Sequence, residues 1–189
     1  MEEKVVTVFG SSRPHQGDAD YEEARALGKA LAECGFAVCS GGYGGVMEGV
    51  SRGAKDAGGK VYGVTAEFFA RKANSWVDVE VRKKTWEERL FELVRMGDGF
   101  VACKGGTGTL VELAVVWEML NKSVMRAKPC VVLGAFWQPI LDRVREVEQD
   151  VRAAAGARMW GEANGNLIFG AATPHVAALY FAEQWKSGK

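Results

Sequence analysis

The sequence has no excess of either charge and few of the residues that build metal sites. Of its 189 residues, 24 are Lys or Arg and 24 are Asp or Glu, so the formal net charge is zero. A balanced charge gives no global attraction to nucleic acid or to an anionic membrane. The two histidines are far apart in the sequence, and none of the four cysteines form a C-x-x-C pair. This pattern argues against a structural zinc site.

Long apolar runs are also absent. No run approaches the ~20 apolar residues that a transmembrane helix needs. The first ten residues, MEEKVVTVFG, are acidic and lack the apolar core of a secretory signal. We therefore expect a cytoplasmic protein that binds neither nucleic acid nor a membrane. Cys39, Cys103 and Cys130 lie in short apolar runs and are predicted to be buried free thiols.

The chain does contain short apolar runs that alternate with amphipathic segments. Strands are predicted at 5–9, 36–39, 60–64, 99–103, 129–133 and 166–169. Helices are predicted at 18–33, 46–57, 85–96, 110–121, 139–155 and 174–185, and residues 65–84 are predicted to be a loop with at most one small strand. Continuously apolar strands are typical of a parallel sheet covered on both faces. The pattern predicts one doubly wound α/β domain over residues 1–189, with a mostly parallel sheet and helices on both faces.

Three loops rich in glycine, serine and threonine follow predicted strands, at 10–12, 41–45 and 105–109. Carboxyl ends of parallel strands lie at one edge, and a strand order of 3-2-1-4-5 would place a ligand site between the first and fourth strands. Glycine allows close backbone approach, and a helix N-terminus attracts anions. Each loop alone could be a tight turn without a ligand, but together they predict a site for phosphate or another anion.

The best-known phosphate motifs do not fit these loops. No G-x-x-x-x-G-K-S/T run is present. The G-x-G-x-x-G pattern fails at Met47 in the second loop and at Val111 in the third. The sequence therefore argues against a P-loop NTPase and against an NAD-dependent dehydrogenase.

Two charged residues near the third loop allow more than one interpretation. Thr109 and Glu112 have the S/T-x-x-E spacing of a capping box, which needs no chemistry. Alternatively, Glu112 lies in the first helical turn beside the anion site, where it could activate water or stabilise a cation at a sugar carbon. Arg89 alone would be a surface ion pair with a neighbouring glutamate, which contributes little.

At this point the residues resemble a known family. The sequence KGGTGTLVE, residues 104–112, resembles the P-G-G-x-G-T-x-x-E signature of the LOG ("Lonely guy") family. SGGYGGVMEGVSRGA and FGSSRP resemble its second and first glycine loops, and Arg89 aligns with the arginine of its R-K pair. The resemblance covers roughly residues 4–185. It implies a Rossmann-like fold, a homodimer, and hydrolysis of nucleoside 5′-monophosphates to a free base and ribose 5-phosphate.

The resemblance also implies roles for individual residues. Those that would hold the 5′-phosphate are Gly105, Gly106, Thr107, Gly108 and Thr109, and those that would shape the nucleoside side are Ser11, Gly42, Gly44 and Gly45. Glu112 would stabilise the ribosyl cation or direct water to its anomeric carbon. Arg89 would neutralise charge and orient Glu112 or the leaving base. This scheme requires no metal ion or other cofactor.

Three positions depart from the family pattern. Lys104 replaces a proline, and is interpreted either as an added phosphate contact or as a solvated residue. Leu90 replaces the lysine after the arginine, which helix packing explains. Glu48 replaces a glycine, where it could alter the base pocket or repel an anion. These changes indicate a divergent branch.

Two functional hypotheses therefore stay open. The first is the phosphoribohydrolase, with Glu112 and Arg89 as catalytic residues. The second is a non-catalytic nucleotide-binding or pterin-cofactor carrier protein, because some relatives with this fold resemble molybdenum-cofactor carriers. A carrier would use the same loops without Glu112 as a catalyst. The label "lysine decarboxylase", given to many members of the family, has no support here, because no residue identifies a lysine for pyridoxal phosphate.

Overall fold

The computed structural model describes residues 3–155 and 167–186, with only the backbone described for 148–155. These ranges contain seven strands and six α-helices, which alternate except that no α-helix lies between the third and fourth strands. The strands are β1 (Val5–Phe9), β2 (Ala37–Ser40), β3 (Val61–Ala66), β4 (Val79–Lys83), β5 (Gly99–Ala102), β6 (Cys130–Leu133) and β7 (Ile168–Ala171). The helices are α1 (Ala19–Glu33), α2 (Val46–Asp56), α3 (Trp86–Met96), α4 (Thr107–Asn121), α5 (Gln138–Ala155) and α6 (Pro174–Lys186). A single 3₁₀ turn, Glu67–Phe69, follows β3.

All seven strands form one parallel sheet in the order β4-β3-β2-β1-β5-β6-β7. β1 lies at the centre, where Val6 pairs with Val38 of β2 on one side and with Gly99 of β5 on the other. The order reverses between β1 and β5, which is the position at which doubly wound sheets bind ligands. The predicted Rossmann-like α/β fold is confirmed, and the five inner strands have the order predicted for a ligand site at this edge.

Helices cover both faces of the sheet, which explains why its strands are apolar throughout. Neighbouring residues of β5 point in opposite directions: Phe100 belongs to the core beneath α3, α4 and α5, and Val101 to the core beneath α1, α2 and α6. Both side chains are fully buried. A strand with two buried faces has no polar positions to alternate with, so its sequence is continuously apolar.

The small strand that the prediction allowed within residues 65–84 is present as β4, and its side chains are mostly exposed because it forms the edge of the sheet. Element boundaries differ from the prediction elsewhere. Helix α4 begins at Thr107, three residues before the predicted start, because Gly106 is its N-cap. Strand β7 begins at Ile168, whereas the prediction began at residue 166, which lies outside the described residues.

The structure also bears on the predicted burial of the cysteines and on possible membrane spans. Cys39, Cys103 and Cys130 are buried free thiols, as predicted. Burial raises the pKa of the Cys39 thiol to about 12, so it is inert as a nucleophile near neutral pH. Within the described ranges, no helix is both long enough and apolar enough to span a bilayer.

Helices α1 and α2 are in direct backbone contact through glycines. A Cβ atom on Gly53 of α2 would lie 1.8 Å from the carbonyl oxygen of Arg25 in α1. A Cβ atom on Gly28 of α1 would lie 2.0 Å from the carbonyl oxygen of Val50 in α2. Because α2 starts directly after the second glycine loop, this close packing also fixes the position of that loop.

We expect Gly53→Ala to lower the free energy of unfolding by about 1–3 kcal/mol, as overpacking of a tight contact does. The added methyl group would meet backbone that has no room to move unless the two helices separate. Gly108→Ala is a matched control, since Gly108 is also helical and a Cβ atom there meets nothing within 4 Å. Urea denaturation of both variants measures the difference. Equal stability of the two variants would show that the helices separate without cost.

Candidate functional site

The three glycine loops meet at the carboxyl edge of the sheet and are joined by backbone hydrogen bonds. The Ser11 amide donates to the carbonyl oxygen of Lys104 at 3.3 Å, which joins the first loop to the third. The Val46 amide donates to the carbonyl oxygen of Ser11 at 2.8 Å, which joins the second loop to the first. Gly45 has φ of +69° and approaches so closely that a Cβ atom there would lie 2.3 Å from the Ser11 carbonyl oxygen. The loops therefore form a single unit.

A cavity of about 1040 Å³ opens above this edge. Nine of the predicted site residues line it: Ser11, Arg89, Lys104, Gly105, Gly106, Thr107, Gly108, Thr109 and Glu112. The structure thus brings together the first and third loops, the start of α4 and Arg89 of α3. A volume of this size lies at the upper end of ~300–1,000 Å³, the usual range for small-molecule sites.

Gly42, Gly44 and Gly45 were predicted to shape the nucleoside side, but they do not line the cavity. Tyr43 and Met47, from the same segment, line it instead. Gly42 has φ of +74°, and a Cβ atom on it would lie 3.2 Å from the Cα atom of Gly63. These glycines allow the loop to pack against its neighbours, and the side chains of Tyr43 and Met47 face the cavity.

The N-terminus of α4 is open to the cavity. No side chain caps it, and its N-cap residue is Gly106. The first amides of an α-helix have no acceptor within the helix, and they carry partial positive charge. The start of α4 is therefore suited to an anion such as phosphate. Lys104 adds a cation at the rim, although its ammonium group also pairs with Asp20 at 2.9 Å.

The capping-box interpretation of Thr109 and Glu112 is wrong. Thr109 is the third residue of α4 and is buried, and Glu112 is the sixth, so it lies in the second turn rather than the first. A capping box is present at the start of α3, where the Thr85 hydroxyl accepts from the Glu88 amide at 3.2 Å. The Glu112 carboxylate is thus free of any capping role.

Glu112 instead pairs with Arg89 at the floor of the cavity. The guanidinium Nη1 of Arg89 lies 3.7 Å from Oε1 of Glu112, and the two side chains are 8% and 14% exposed. The Nε of Arg89 donates a 2.8 Å hydrogen bond to the carbonyl oxygen of Val64 in β3. The expectation that Arg89 forms a surface ion pair within its own helix is therefore wrong. Arg89 is buried, and the carboxylate with which it pairs comes from α4.

Two aromatic rings enclose the Arg89 guanidinium. Its Cζ atom lies 5.5 Å from the ring centre of Tyr43 and 5.7 Å from that of Phe69. The Tyr43 hydroxyl is itself fixed, since it donates to the Ala66 carbonyl oxygen at 3.2 Å and accepts from the Ala66 amide at 2.9 Å. Gly41 leaves the space for the guanidinium, because a Cβ atom there would lie 1.7 Å from Nη2.

Sequence analysis missed these supporting residues. Tyr43 is the one aromatic residue inside the second glycine loop, which was an available signal. Phe69 lies in a segment with no clear periodicity, so its position next to Arg89 could not be inferred. Gly41 was assigned to a glycine loop in general, without a role as the space for a side chain.

The position of Glu112 changes its acidity. Burial raises the pKa of its carboxyl group from 4.5 to about 7, and the nearby Arg89 guanidinium opposes part of this rise. A carboxyl group with such a pKa exchanges a proton readily near neutral pH. The pair can therefore act as a proton-transfer group or as a negative charge with a fixed orientation.

The remaining departures from the family pattern have separate structural explanations. Leu90 is buried, as expected from helix packing. Glu48 does not line the cavity, and its carboxylate accepts from the Tyr21 hydroxyl at 3.4 Å, so it does not alter a base pocket directly.

Within the described part of the chain, no group of three His, Cys, Asp or Glu side chains is arranged to hold a metal ion.

The chain is similar to several known proteins. A cytokinin riboside 5′-monophosphate phosphoribohydrolase of Rhodococcoides fascians is 29% identical over 166 residues, which is 82% of each chain. The cytokinin riboside 5′-monophosphate phosphoribohydrolase LOG of Oryza sativa subsp. japonica is 36% identical over 73% of this chain and 58% of its own length. The solved molybdenum cofactor binding protein of Rippkaea orientalis is 25% identical, with a TM-score of 0.70, over 99% of this chain and 98% of its own.

The sequence also matches the profile of one family across most of its length. The match covers residues 3–156, from before β1 to the end of α5, and so includes all three glycine loops, Arg89 and Glu112. This is well over half of the 189 residues. The chain belongs to the SLOG cluster4 family.

Proposed function

We propose that the protein is a nucleoside 5′-monophosphate phosphoribohydrolase. The observation that carries this proposal is the buried Glu112–Arg89 pair, which lies in the same cavity as the uncapped N-terminus of α4. The named activities of the relatives from Rhodococcoides fascians and Oryza sativa support it. The products are a free base and ribose 5-phosphate.

The 5′-phosphate binds at the start of α4, where the backbone amides of 105–109 are available. Thr107 and Glu112 are five residues apart in this helix, which corresponds to a rise of about 7.5 Å. A phosphate at the N-terminus and a carboxylate more than one turn further along can thus contact two different parts of one nucleotide. Lys104 adds positive charge at the phosphate end.

In the reaction, the bond between C1′ of the ribose and the base nitrogen breaks, and its electron pair leaves with the base. Positive charge then develops on the sugar, and the ionised Glu112 stabilises it. A water molecule forms the new bond at C1′ and gives one proton to Glu112, which then passes this proton to the nitrogen of the released base and returns to its ionised form. Arg89 holds the Glu112 carboxylate in place and keeps part of it ionised near neutral pH.

A second candidate function is a carrier of a pterin cofactor. The observation that favours it is the match to the molybdenum cofactor binding protein of Rippkaea orientalis, which extends over nearly the whole of both chains. The cavity of about 1040 Å³ also has room for a ligand larger than a mononucleotide. A carrier would bind through the same loops without turnover.

For either function the homodimer stays a prediction. The exposed side chains of Leu110 and Val111 in α4 offer apolar surface to a second copy of the chain.

We expect the parent protein to release a base from at least one nucleoside 5′-monophosphate, and Glu112→Gln to lower kcat by about 100-fold or more. The variant keeps the shape of the side chain but cannot carry negative charge or accept a proton. Chromatography of free base and ribose 5-phosphate from AMP, GMP, CMP and UMP measures the rates.

Glu118→Gln is the matched control for this experiment. Glu118 lies on the same helix, but its side chain is 60% exposed and pairs with Lys122 rather than with Arg89. Its activity should equal that of the parent. If the parent binds nucleotides tightly and releases no base from any of the four, the carrier function replaces the hydrolase.

The pH profile of the hydrolase should reflect Glu112. Because the ionised form is the active one, we expect kcat/KM to rise with pH and to level off above a midpoint near the Glu112 pKa of about 7. Arg89→Gln removes the charge that opposes the rise in pKa, so it should move the midpoint to higher pH. A profile that falls as pH rises through this range would instead identify Glu112 as a proton donor.

Stability should depend on the same carboxyl group. Folding raises its pKa from 4.5 to about 7, so the folded state favours the protonated form. The contribution to stability is therefore present at low pH and is lost as pH rises through this interval. Between pH 5 and pH 8, the parent should lose about 2–3 kcal/mol of unfolding free energy relative to Glu112→Gln. Urea denaturation of both proteins at each pH measures this difference, and parallel pH dependences would contradict the raised pKa.

A further inference from the structure

Several aromatic side chains line the cavity without belonging to the hydrophobic core. Phe69 and Trp86 both line the cavity, and neither belongs to the two core clusters formed by the described residues. Phe69 is 37% exposed. Apolar ring surface that faces a water-filled cavity is unfavourable until a ligand covers it. These two side chains thus have surface available that the fold itself does not use.

The aromatic part of the cavity and the N-terminus of α4 are connected through the ion pair. Phe69 contacts Arg89, with 5.7 Å between the ring centre and Cζ, and Arg89 contacts Glu112. Glu112 in turn lies five residues along α4 from Thr107. Phe69, the Arg89 guanidinium and the Glu112 carboxylate are therefore in contact in that order, and the helix that carries Glu112 begins with the free amides.

We propose that Phe69 and Trp86 form a ring subsite, which stacks against the planar heterocycle of a phosphorylated ligand. The heterocycle then lies beside Arg89, and the phosphate lies at the start of α4. In a nucleoside 5′-monophosphate, this arrangement places the bond between base and sugar next to Glu112. Only the placement of the bond next to Glu112 rests on the proposed function, since the ring subsite would also hold the ring of a carried pterin.

The chemistry of the subsite predicts its selectivity. Stacking on an aromatic side chain contributes about 1–3 kcal/mol per base and tolerates different bases, because every base has a π-face. Neither ring face offers a hydrogen bond with which to distinguish one base edge from another, since the one polar group, the indole N–H of Trp86, lies in the plane of its ring. We therefore expect purine nucleotides, with their larger rings, to bind more tightly than pyrimidine nucleotides.

Ligand pairs with and without a ring test the subsite. In the Glu112→Gln background, in which turnover is slowed at least about 100-fold, AMP and ribose 5-phosphate are titrated by calorimetry. Phe69→Ala should weaken AMP binding by about 5- to 100-fold, the loss of one stacking contact, and leave ribose 5-phosphate binding unchanged. Phe69→Tyr, which keeps the ring, should bind AMP as tightly as the background protein.

Phe68→Ala is the matched control. Phe68 is the preceding residue, is 74% exposed and does not line the cavity. Its removal should change neither affinity. An equal loss of AMP and ribose 5-phosphate binding in Phe69→Ala would show that Phe69 only positions Arg89, and this would overturn the proposal.

Two other results would also overturn the ring subsite. One is unchanged AMP binding in Phe69→Ala. The other is the absence, among AMP, GMP, CMP and UMP, of any ligand that binds more tightly than ribose 5-phosphate. Failure of the hydrolase proposal gives a different result, because it is measured as the absence of base release by the parent protein and leaves these binding constants intact.

Discussion

The burial of one cation, the guanidinium of Arg89, constrains the whole site. A buried charge is unfavourable unless hydrogen bonds and an opposite charge surround it. Here the Val64 carbonyl oxygen, the Glu112 carboxylate and the rings of Tyr43 and Phe69 do so. These groups come from β3, from α4, from the loop after β2 and from the turn after β3. The contacts that surround the Arg89 guanidinium therefore fix the relative positions of four segments at the carboxyl edge of the sheet.

The glycines serve this arrangement mainly by allowing close contact. Gly41 leaves room for the guanidinium, and Gly45 brings the second loop against the carbonyl oxygen of Ser11. Gly105 is similar, because a Cβ atom there would lie 2.2 Å from the Thr109 hydroxyl oxygen. In contrast, Gly106 and Gly108 have open space around them and line the cavity. Glycine-rich loops in this chain thus combine two different functions, packing between loops and exposure of backbone amides.

Features of the fold that leave a local pattern in the sequence could be predicted, and features that depend on contacts between segments could not. Buried strands were predicted because two covered faces leave a continuous apolar run, and strand ends then place three loops together. β4 was harder, since an edge strand with exposed side chains has a weak pattern. The early start of α4 was missed because glycine and threonine are poor helix formers. The roles of Phe69 and Trp86 depend on distances between segments, which no local spacing in the sequence reveals.

The Glu112–Arg89 pair also bears on the choice between a carrier and an enzyme. A site that only holds a phosphorylated ligand needs the free amides of α4 and a positive charge such as Lys104. An ionised carboxylate in the same cavity repels a phosphate, so for binding alone a neutral side chain would be better. The buried carboxyl group gains its raised pKa from desolvation, and it needs Arg89 to remain partly ionised at neutral pH. Chemistry at a developing cation gives a reason for both charges, whereas retention of a phosphorylated ligand gives a reason for the cation and none for the carboxylate.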